Sequence, residues 1–464
     1  MNLDIAAVRK HICANEEKYL EVWKKLVAQP SISAQNLGVR KCAELLVEIM
    51  REFNIEGKIL ETEGQPVVYG ELKSDNPNAL TILFYGHYDV QPPEPYDAWI
   101  SPPFEPTIRN GRLYGRGTAD NKGQLVAHLC AVNSILETSG SLPVNVKFIF
   151  EGEEESGSPN LAKFASQNKD LLAADVVYVS DGPMHDKETP AVEFGNRGVL
   201  SMELTIQTAT QDNHSGNKGG VIPNAAWELV HLLSTMEDRD GRITIEGFYE
   251  DVLPPDDYQL QLIDDLPYDP QEVAKVFGVE EIKLEKREFY RKLLLEPTLS
   301  INGLLSGYTG PGSKTIIPHK AVAKLDARLV VDQDDMKVFQ RIKEHVEKYN
   351  PSASLVYLHS MLPSKTEANL PVCQAIMRAI HEAYQRHPVA MPSVGGSLPN
   401  YVWTKILNIP TVGVPYANPD EDNHAPNENM VLECFYKGIK ATVQVIHELG
   451  KLAVSNLGEK KRKP

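Results

Sequence analysis

Four mainly apolar stretches of this chain end in, or lead shortly into, acidic or histidine side chains. They cover residues 79–87, 144–150, 175–180 and 409–415. Each has the length of one buried strand, as in a sheet covered on both faces. In open α/β sheets ligands bind beyond the carboxyl ends of the strands, so the polar residues there should share one crevice. These residues are His87, Asp89, Glu154, Glu155, Asp181 and His424. The pattern predicts an α/β domain with a mixed, largely parallel sheet flanked by helices.

The second stretch ends in a crowd of carboxylates, at Glu151, Glu153, Glu154 and Glu155. Close like charges repel and raise one another's pKa, so something must offset the cost. Either the turn is solvated, or a cation neutralises it. The converging set offers histidine, aspartate and glutamate without cysteine, which suits zinc, with manganese or cobalt as alternatives. It is large enough for two ions that share a bridging carboxylate, with one glutamate left as a general base.

Two motifs near the first strand have structural as well as functional interpretations. His87 and Asp89 lie two residues apart, so both project from one side of a strand and the carboxylate can orient the imidazole. The alternative is a hydrogen-bonded histidine beside a turn aspartate. Asp120 lies in the glycine-rich stretch 111–123, just before a helical pattern, where N-capping is a common role of aspartate. The glycine spacing fits neither a dinucleotide loop nor a Walker phosphate loop.

The charge balance argues against two classes of partner. The chain has 47 Lys and Arg against 63 Asp and Glu, a formal net charge of −16. Nucleic acids and anionic membranes both need a basic surface, so neither is expected to bind. No apolar run reaches the roughly 18 residues of a membrane span, and the first residues lack a secretory signal pattern. Five scattered cysteines predict a reduced, cytoplasmic protein, and the basic tail at 459–464 is expected to be a solvated terminus.

The middle of the chain has a different pattern. Residues 198–207 and 321–330 alternate apolar and polar side chains, as expected for a sheet with one exposed face. With helical patterns at 224–236 and 335–349, they predict an inserted α+β domain. The acidic, proline-bearing stretch 252–270 is expected to be a surface excursion. The predicted division is a catalytic domain of residues 1–197 and 363–464 with an insert of residues 198–362.

Helical patterns recur outside the insert. They are predicted at residues 15–28, 40–53, 124–136, 370–386 and 430–452. These helices supply the apolar faces that would cover the sheet.

Six motifs together resemble the co-catalytic zinc metallopeptidase family that includes aminoacylase, carboxypeptidase G and the cytosolic carnosine-type dipeptidases. They are His87-Tyr-Asp-Val90, Gly115-Arg-Gly-Thr-Ala-Asp-Asn-Lys-Gly123, Glu151-Gly-Glu-Glu-Glu-Ser-Gly-Ser158, Ser180-Asp181, His214-Ser-Gly216 and His424. The likeness covers most of the chain. It implies that the insert is a lid that also forms a homodimer.

The resemblance also implies a role for each residue of the predicted centre. Asp120 would bridge two metal ions, His87 and Asp181 would complete one site, and Glu155 and His424 would complete the other. Asp89 would orient His87, and Glu154 would be the general base. A register shifted by one residue, with Glu153 as base and Glu154 as ligand, is the alternative.

Further residues resemble the family's substrate contacts. His214 would reach a neighbouring subunit's active site and stabilise the oxyanion, and Arg328 would bind the substrate carboxylate. Thr315 and Ser397 match contacts at the ends of the substrate. Each also has a structural alternative. His214 could be a turn histidine and Arg328 an exposed cation on a strand, whereas Thr315 and Ser397 could be ordinary turn residues.

The sequence therefore predicts a dinuclear metallohydrolase that cleaves the amide or peptide bond of a dipeptide or similar small substrate with a free carboxylate. An N-acyl amino acid deacylase or desuccinylase would use the same centre. A phosphoesterase would need a basic clamp, and a non-catalytic binding protein should lack a ligand or the base. The chain departs from the dipeptidase pattern at residues 182–185, and at Ser393 and Val394, where an acidic or basic residue is expected. Both departures concern substrate preference.

Overall fold

The computed structural model describes residues 3–186 and 189–452, and the basic tail at 459–464 lies outside this part of the chain. Its strands, numbered in chain order, are β1 (Gly57–Leu60), β2 (Val67–Leu72), β3 (Thr81–His87), β4 (Thr107–Arg109), β5 (Arg112–Tyr114), β6 (Asn145–Glu151), β7 (Val176–Val179), β8 (Ala191–Glu193), β9 (Gly195–Asn196), β10 (Gly198–Gln207), β11 (Asn213–His214), β12 (Thr298–Ser306), β13 (Ile316–Ile317), β14 (Lys320–Leu329), β15 (Ser354–Met361), β16 (Ser364–Lys365), β17 (Val389–Met391), β18 (Thr411–Gly413) and β19 (Asn429–Val431).

The helices of the described residues are α1 (Ile5–Ala14), α2 (Glu16–Val27), α3 (Val39–Glu52), α4 (Lys122–Ser139), α5 (Leu161–Gln167), α6 (Lys169–Leu172), α7 (Ser215–Lys218), α8 (Ala225–Leu233), α9 (Asp257–Asp265), α10 (Pro270–Phe277), α11 (Lys286–Tyr290), α12 (Asp335–Tyr349), α13 (Pro371–Tyr384) and α14 (Leu432–Leu449). Seven of them, α2, α3, α4, α8, α12, α13 and α14, agree with the predicted helical patterns. No helix in the described part of the chain has the length and apolar character that crossing a membrane requires.

The main sheet has eight strands in the order β1-β2-β6-β3-β7-β18-β8-β17. Its central strands β6, β3, β7 and β18 are mutually parallel, whereas β1, β2 and the β8–β18 contact are antiparallel. This confirms the predicted mixed, largely parallel sheet. Because the four central strands are parallel, their carboxyl ends share one edge, and all four lead into predicted site residues.

Both faces of this sheet are covered. Along β3 and β6, Phe84 and Phe148 point into the core built by α1–α4, α13 and α14. Their neighbours Leu83, Tyr85 and Ile149 point into a second core with α5 and Trp403. Alternate residues of a strand face opposite sides, so a strand between two cores must be apolar on both. The continuous apolar runs in the sequence reflect this burial.

The insert is built on a second, four-stranded antiparallel sheet in the order β12-β14-β10-β15. One face packs on α8 and α12, and there the alternate residues of β10, such as Leu200 and Leu204, are buried. The residues between them remain partly exposed. The alternation in the sequence thus correctly predicts a sheet with one covered face.

The expected surface excursion is wrong for part of residues 252–270. Asp256 and Gln259 form reciprocal hydrogen bonds that cap α9, whose Leu262 and Ile263 are buried. Ile263 joins a small core with Phe289 and other residues of α11, which also contacts β17 of the main sheet. The acidic helix α9 therefore has a buried apolar face, which the expectation of a surface segment did not include.

A buried ion pair ties the glycine-rich loop to the loop before α14. Arg116 Nη1 donates to Glu428 Oε2 at 2.9 Å, and both side chains are almost completely buried. The same carboxylate accepts the backbone N–H groups of Gly117, Ala119 and Asp120 at 2.9–3.1 Å. One carboxylate therefore fixes four donors from a loop more than 300 residues away in sequence.

Glu428→Gln should lower the thermal stability of the protein. The substitution leaves the Arg116 guanidinium buried without a counter-charge, and breaking a buried pair in this way costs roughly 3–5 kcal/mol. We expect calorimetry to show a lower melting temperature. The control is Glu433→Gln, which removes an exposed partner of Lys437 and should cost at most about 1 kcal/mol. Equal melting temperatures for the two variants would contradict the assigned importance of the buried pair.

Candidate active site

The carboxyl edge of the main sheet gathers the residues that follow the parallel strands. β3 ends at His87, β6 leads into Glu154 and Glu155, and β7 leads into Asp181. The loop after β18 carries His424, which crosses to this edge and contacts Asp120. Residues from five separate parts of the chain therefore meet in one place.

Two groups of side chains in this edge could each hold a metal ion. The first is His87, Asp120 and Asp181, and the second is Asp120, Glu155 and His424; in each, the ligand atoms lie within 4.8 Å of one another. Asp120 belongs to both, and its two oxygens are divided between them. Oδ1 lies 3.0 Å from His87 Nε2, and Oδ2 lies 3.0 Å from His424 Nε2. The shared carboxylate has the arrangement that bridging requires.

The chemistry of these groups fits a divalent cation. His87 Nε2 is buried and makes no hydrogen bond, although Asp120 Oδ1 and Asp181 Oδ2 lie 3.0 and 3.6 Å away. His424 Nε2 lies 3.2 Å from Glu155 Oε2. Buried polar atoms normally have partners, and nitrogen and carboxylate oxygen are ligands for zinc, manganese or cobalt. A buried imidazole nitrogen that has no hydrogen-bond partner and faces two carboxylates therefore fits the role of a metal ligand.

Asp89 braces this centre mainly through the backbone. Its carboxylate accepts the N–H groups of Glu154 and Glu155, each at 3.1 Å. His87 Nδ1 lies 3.1 Å from the Asp89 carbonyl oxygen and 3.4 Å from its carboxylate. A proton on Nδ1, donated to the carbonyl, leaves Nε2 free as a ligand. Asp89 thus contacts the imidazole more closely through its carbonyl oxygen than through its carboxylate.

The three consecutive glutamates point in different directions. Glu153 accepts a hydrogen bond from Asn160 Nδ2 at 2.8 Å, outside the two groups. Glu154 Oε2 lies 4.0 Å from His87 Nε2, beside the first group but not in it. Glu155 belongs to the second group and accepts from Gln91 Nε2 at 2.9 Å. This geometry favours the register with Glu155 as the ligand.

The crowded charges shift the protonation of the site. Burial, and then the charge of Asp120, raises the pKa of Glu155 to about 7, and burial raises the pKa of Glu154 well above its usual value. Hydrogen bonds to Asp120 and Glu155 raise the pKa of His424 to about 10. Burial alone would lower the pKa of His87, but the carboxylates of Asp120 and Asp181 raise it. Bound cations would oppose these shifts, because they would neutralise the crowded carboxylates.

The backbone conformation of His424 supports a functional role for this residue. Its φ of 58° lies in the left-handed region, which is uncommon for residues other than glycine. Such conformations cost of order 1–3 kcal/mol and cluster at functional sites.

Asp120 is not the N-cap of α4, the alternative role for this residue. The N-cap position belongs to Asn121, and Asp120 instead contacts the two histidines.

The predicted substrate residues form two separate pairs. Arg328, on β14, donates from Nη1 to Ser397 Oγ at 2.9 Å, and its Nε lies 3.4 Å from Asp326. His214 lies on β11, which pairs with β13 next to Thr315. His214 Nδ1 accepts the N–H of Gly216 at 3.0 Å, as a turn histidine does, and the side chain is not part of the metal-binding groups.

Sequence reasoning missed several residues that hold the centre. Glu428 holds the backbone of the glycine-rich loop, and Gln91 holds the side chain of Glu155. Asn121 accepts the N–H of His87 and donates to the carbonyl oxygen of Ser180. Glu428 closely follows His424, but nothing in that spacing shows that it meets the loop near residue 120. A carboxylate at Glu193, beside Asp181, was also missed.

Comparison with known proteins places the chain in a family. The sequence model of "Peptidase family M20/M25/M40" matches residues 83–448. The Beta-Ala-His dipeptidase of Homo sapiens is 32% identical over 397 residues, covering 83% of this chain and 78% of that protein. The Cys-Gly metallodipeptidase dug1 of Schizosaccharomyces pombe is 29% identical over 480 residues, covering 98% of this chain and 100% of its own.

A solved structure extends this likeness to the whole fold. The M20 family metallo-carboxypeptidase Sso-CP2 of Sulfolobus solfataricus superposes with a TM-score of 0.88 at 36% identity, over 94% of this chain and 99% of that one. The similarity thus includes the main sheet and the insert together. The family match covers most of the chain, including the residues of both metal-binding groups. The chain belongs to peptidase family M20/M25/M40.

Proposed function

We propose that this protein is a dinuclear metal-dependent dipeptidase. The observation that carries the proposal is the shared carboxylate of Asp120, which lies 3.0 Å from His87 on one side and 3.0 Å from His424 on the other. Two metal-binding groups with a common ligand suit hydrolysis of an amide bond. Relatives that act on β-alanyl-histidine and cysteinyl-glycine, by their names, support a dipeptide as substrate.

His87 and Asp181 would hold one ion and Glu155 and His424 the other, with Asp120 between them. Zinc fits this nitrogen and oxygen set, and manganese and cobalt are the alternatives. When bound, such ions polarise the substrate carbonyl and make water more acidic. They would also neutralise the carboxylates whose mutual repulsion raises the pKa of Glu154 and Glu155.

Glu154 is the proposed general base and acid. It lies beside the first group, 4.0 Å from His87 Nε2, without belonging to it, so its carboxylate is free to take a proton from the attacking water. It would then give that proton to the leaving amine. Glu153 is poorly placed for this role, because it is hydrogen-bonded to Asn160.

Arg328 and Ser397 are proposed to bind the carboxylate of the substrate. A guanidinium can bind a carboxylate with two hydrogen bonds, and the Ser397 hydroxyl at 2.9 Å holds it in place. Thr315 would contact the substrate from the insert. Closure of the insert over the site would exclude water.

His214 is proposed to act in the active site of a second subunit, where it would stabilise the oxyanion. Within one chain it lies outside the metal-binding groups. The insert also exposes apolar side chains that a second copy could cover: Val221 is 82% exposed, Trp227 61% and Val230 48%. Large exposed apolar patches commonly mark interfaces. We therefore propose a homodimer formed through the insert.

The main alternative is an N-acyl amino acid deacylase or desuccinylase, because Arg328 would bind the carboxylate of either substrate. The two kinds of substrate differ in the group on the other side of the scissile bond.

A cytoplasmic location fits the five free cysteines, four of them buried. A small peptide substrate fits a protein with a net charge of −16 better than a nucleic acid does.

The metal-loaded enzyme should hydrolyse dipeptides faster than N-acyl amino acids, and Glu154→Gln should abolish most of this activity. Loss of a general base typically lowers kcat by about 10²–10⁴-fold. The measurement is kcat and KM over a panel of both substrate classes, with metal content determined for each variant. Glu153→Gln is the matched control and should stay near wild type.

Two results would redirect the proposal. A wild-type enzyme active only on N-acyl amino acids would make it a deacylase. An inactive Glu153→Gln beside an active Glu154→Gln, at equal metal content, would move the register by one residue.

Metal occupancy should depend on Asp120 and Asp181 differently. Wild type should hold about two ions per chain. Asp181→Asn should hold about one, because only the His87 side loses a ligand. Asp120→Asn should hold close to none, since both sides lose the shared carboxylate. Elemental analysis after exhaustive dialysis measures this, and equal metal content in the two variants would argue against a bridging Asp120.

Mixed dimers test whether His214 acts in the neighbouring site. His214→Ala and Glu154→Gln should each be nearly inactive alone. Co-expressed in equal amounts, they should regain about a quarter of wild-type activity, because half the dimers are mixed and each mixed dimer has one intact site. No recovery, with mixed dimers shown by differential tags, would place His214 in its own subunit's site. His359→Ala, an exposed histidine of the same insert, is the control and should remain active.

A further inference from the structure

Glu193 lies at the carboxyl edge of the main sheet, and the proposed mechanism does not use it. It ends β8, between β18 and β17, where it pairs with Gly413 on one side and Met391 on the other. Gly413 in turn pairs with Val179 of β7, two residues before Asp181. Glu193 therefore lies at the edge where the metal ligand Asp181 emerges.

The space for its carboxyl group is provided by a glycine. A methyl group on Gly413 would lie 2.9 Å from Glu193 Oε2 and 3.1 Å from its Cβ, so no other residue would fit there without displacing Glu193. The residue is half-buried at this edge of the sheet. Among the described residues, no side chain or backbone N–H hydrogen-bonds to its carboxyl group, and no cation forms an ion pair with it.

The surroundings make this carboxyl group unusual. Burial, and then the charge of Asp181, raises the pKa of Glu193 to about 8. A carboxylate placed beside other carboxylates, with no cation of its own, is costly unless something positive binds there. Ser393 and Val394 of the neighbouring loop are uncharged, so they supply no counter-charge for Glu193.

The same loop connects Glu193 to the carboxylate-binding pair. Phe194 N donates to Met391 O, Val394 N donates to Gly195 O, and Arg197 N donates to Val394 O, all within 2.9–3.0 Å. The segment that begins at Glu193 is thus hydrogen-bonded to the loop that ends at Ser397. Glu193 lies between the metal ligand Asp181 and this loop.

We propose that Glu193 binds the free α-ammonium group of the substrate. This inference rests on the proposed dipeptidase function and names the group that selects its substrate. The amino nitrogen of a dipeptide is separated from the scissile carbonyl carbon by a single carbon atom, so it must lie beside the metal ligands. Asp181 and Glu193 lie at this edge on the two sides of β18, and Arg328 with Ser397 is available for the other end of the substrate.

The consequence is discrimination by charge against acylated substrates. An N-acyl amino acid has no ammonium group, and its binding would leave the Glu193 carboxylate desolvated and unpaired. Sites built to pair with a polar group reject analogues that lack it, because the buried partner is left unsatisfied. Glu193 would therefore make the enzyme a dipeptidase rather than a deacylase.

Glu193→Gln tests this with three substrates: a dipeptide of neutral residues, its N-acetyl derivative, and a dipeptide with a C-terminal lysine. For the neutral dipeptide we expect kcat/KM to fall roughly 10- to 100-fold, mainly through KM, as for loss of a charged hydrogen bond. The N-acetyl derivative should be a poor substrate for both enzymes and change little. Glu193→Asp, which keeps the charge, should retain part of the preference, and all variants should bind equal amounts of metal.

Three results would overturn the assignment. An equal loss for the free and N-acetyl dipeptides would show a structural effect, a loss confined to the lysine dipeptide would show side-chain recognition, and no loss would show that Glu193 does not contact the substrate. If wild type cleaves neutral dipeptides and any of these occurs, only this inference fails. If wild type cleaves only N-acyl amino acids, the dipeptidase function fails as well.

Discussion

Repulsion between carboxylates at one edge of the main sheet is the constraint on which the site depends. Asp120, Glu154, Glu155 and Asp181 are brought together with two histidines in a partly buried crevice. Among the described residues of these clusters, His87 and His424 are the groups that can carry positive charge, and the neighbouring carboxylates raise the pKa of both imidazoles. Cations from outside the chain would satisfy the same carboxylates and release the histidines as neutral ligands.

Such a crowded centre needs support that does not depend on the ligands themselves. Asp89 and Glu428 provide it by accepting backbone N–H groups, of Glu154 and Glu155 in one case and of Gly117, Ala119 and Asp120 in the other. Both acids are fully buried, so their hydrogen bonds are not exchanged for water. The ligand loops therefore keep their positions through the main chain while the side chains remain free to coordinate.

The sequence predicts which residues gather at this edge because strand periodicity and strand ends are local properties. Apolar runs reveal β3, β6 and β7, and the polar residues that follow them fall at one edge whatever the loops do. Contacts that depend on topology were not predictable in this way. Glu428 meets Arg116 across 312 residues, and the core around Ile263 forms only because α9 packs beside β17. The role proposed for His214 would likewise depend on a second subunit, which the pattern of one chain does not describe.

The proposed substrate contacts imply recognition of a zwitterion by its two ends. Arg328 would meet the carboxylate, Glu193 would meet the ammonium group, and the metal-binding groups would lie between them. Charge recognition at both ends fixes the length of the substrate but places no demand on its side chains. A longer peptide would carry its ammonium group beyond the reach of Glu193 when its carboxylate is on Arg328 and its last bond is at the metals. The same two charges that accept a dipeptide would therefore exclude both acylated amino acids and longer peptides, which separates this arrangement from a carboxypeptidase built on the same fold.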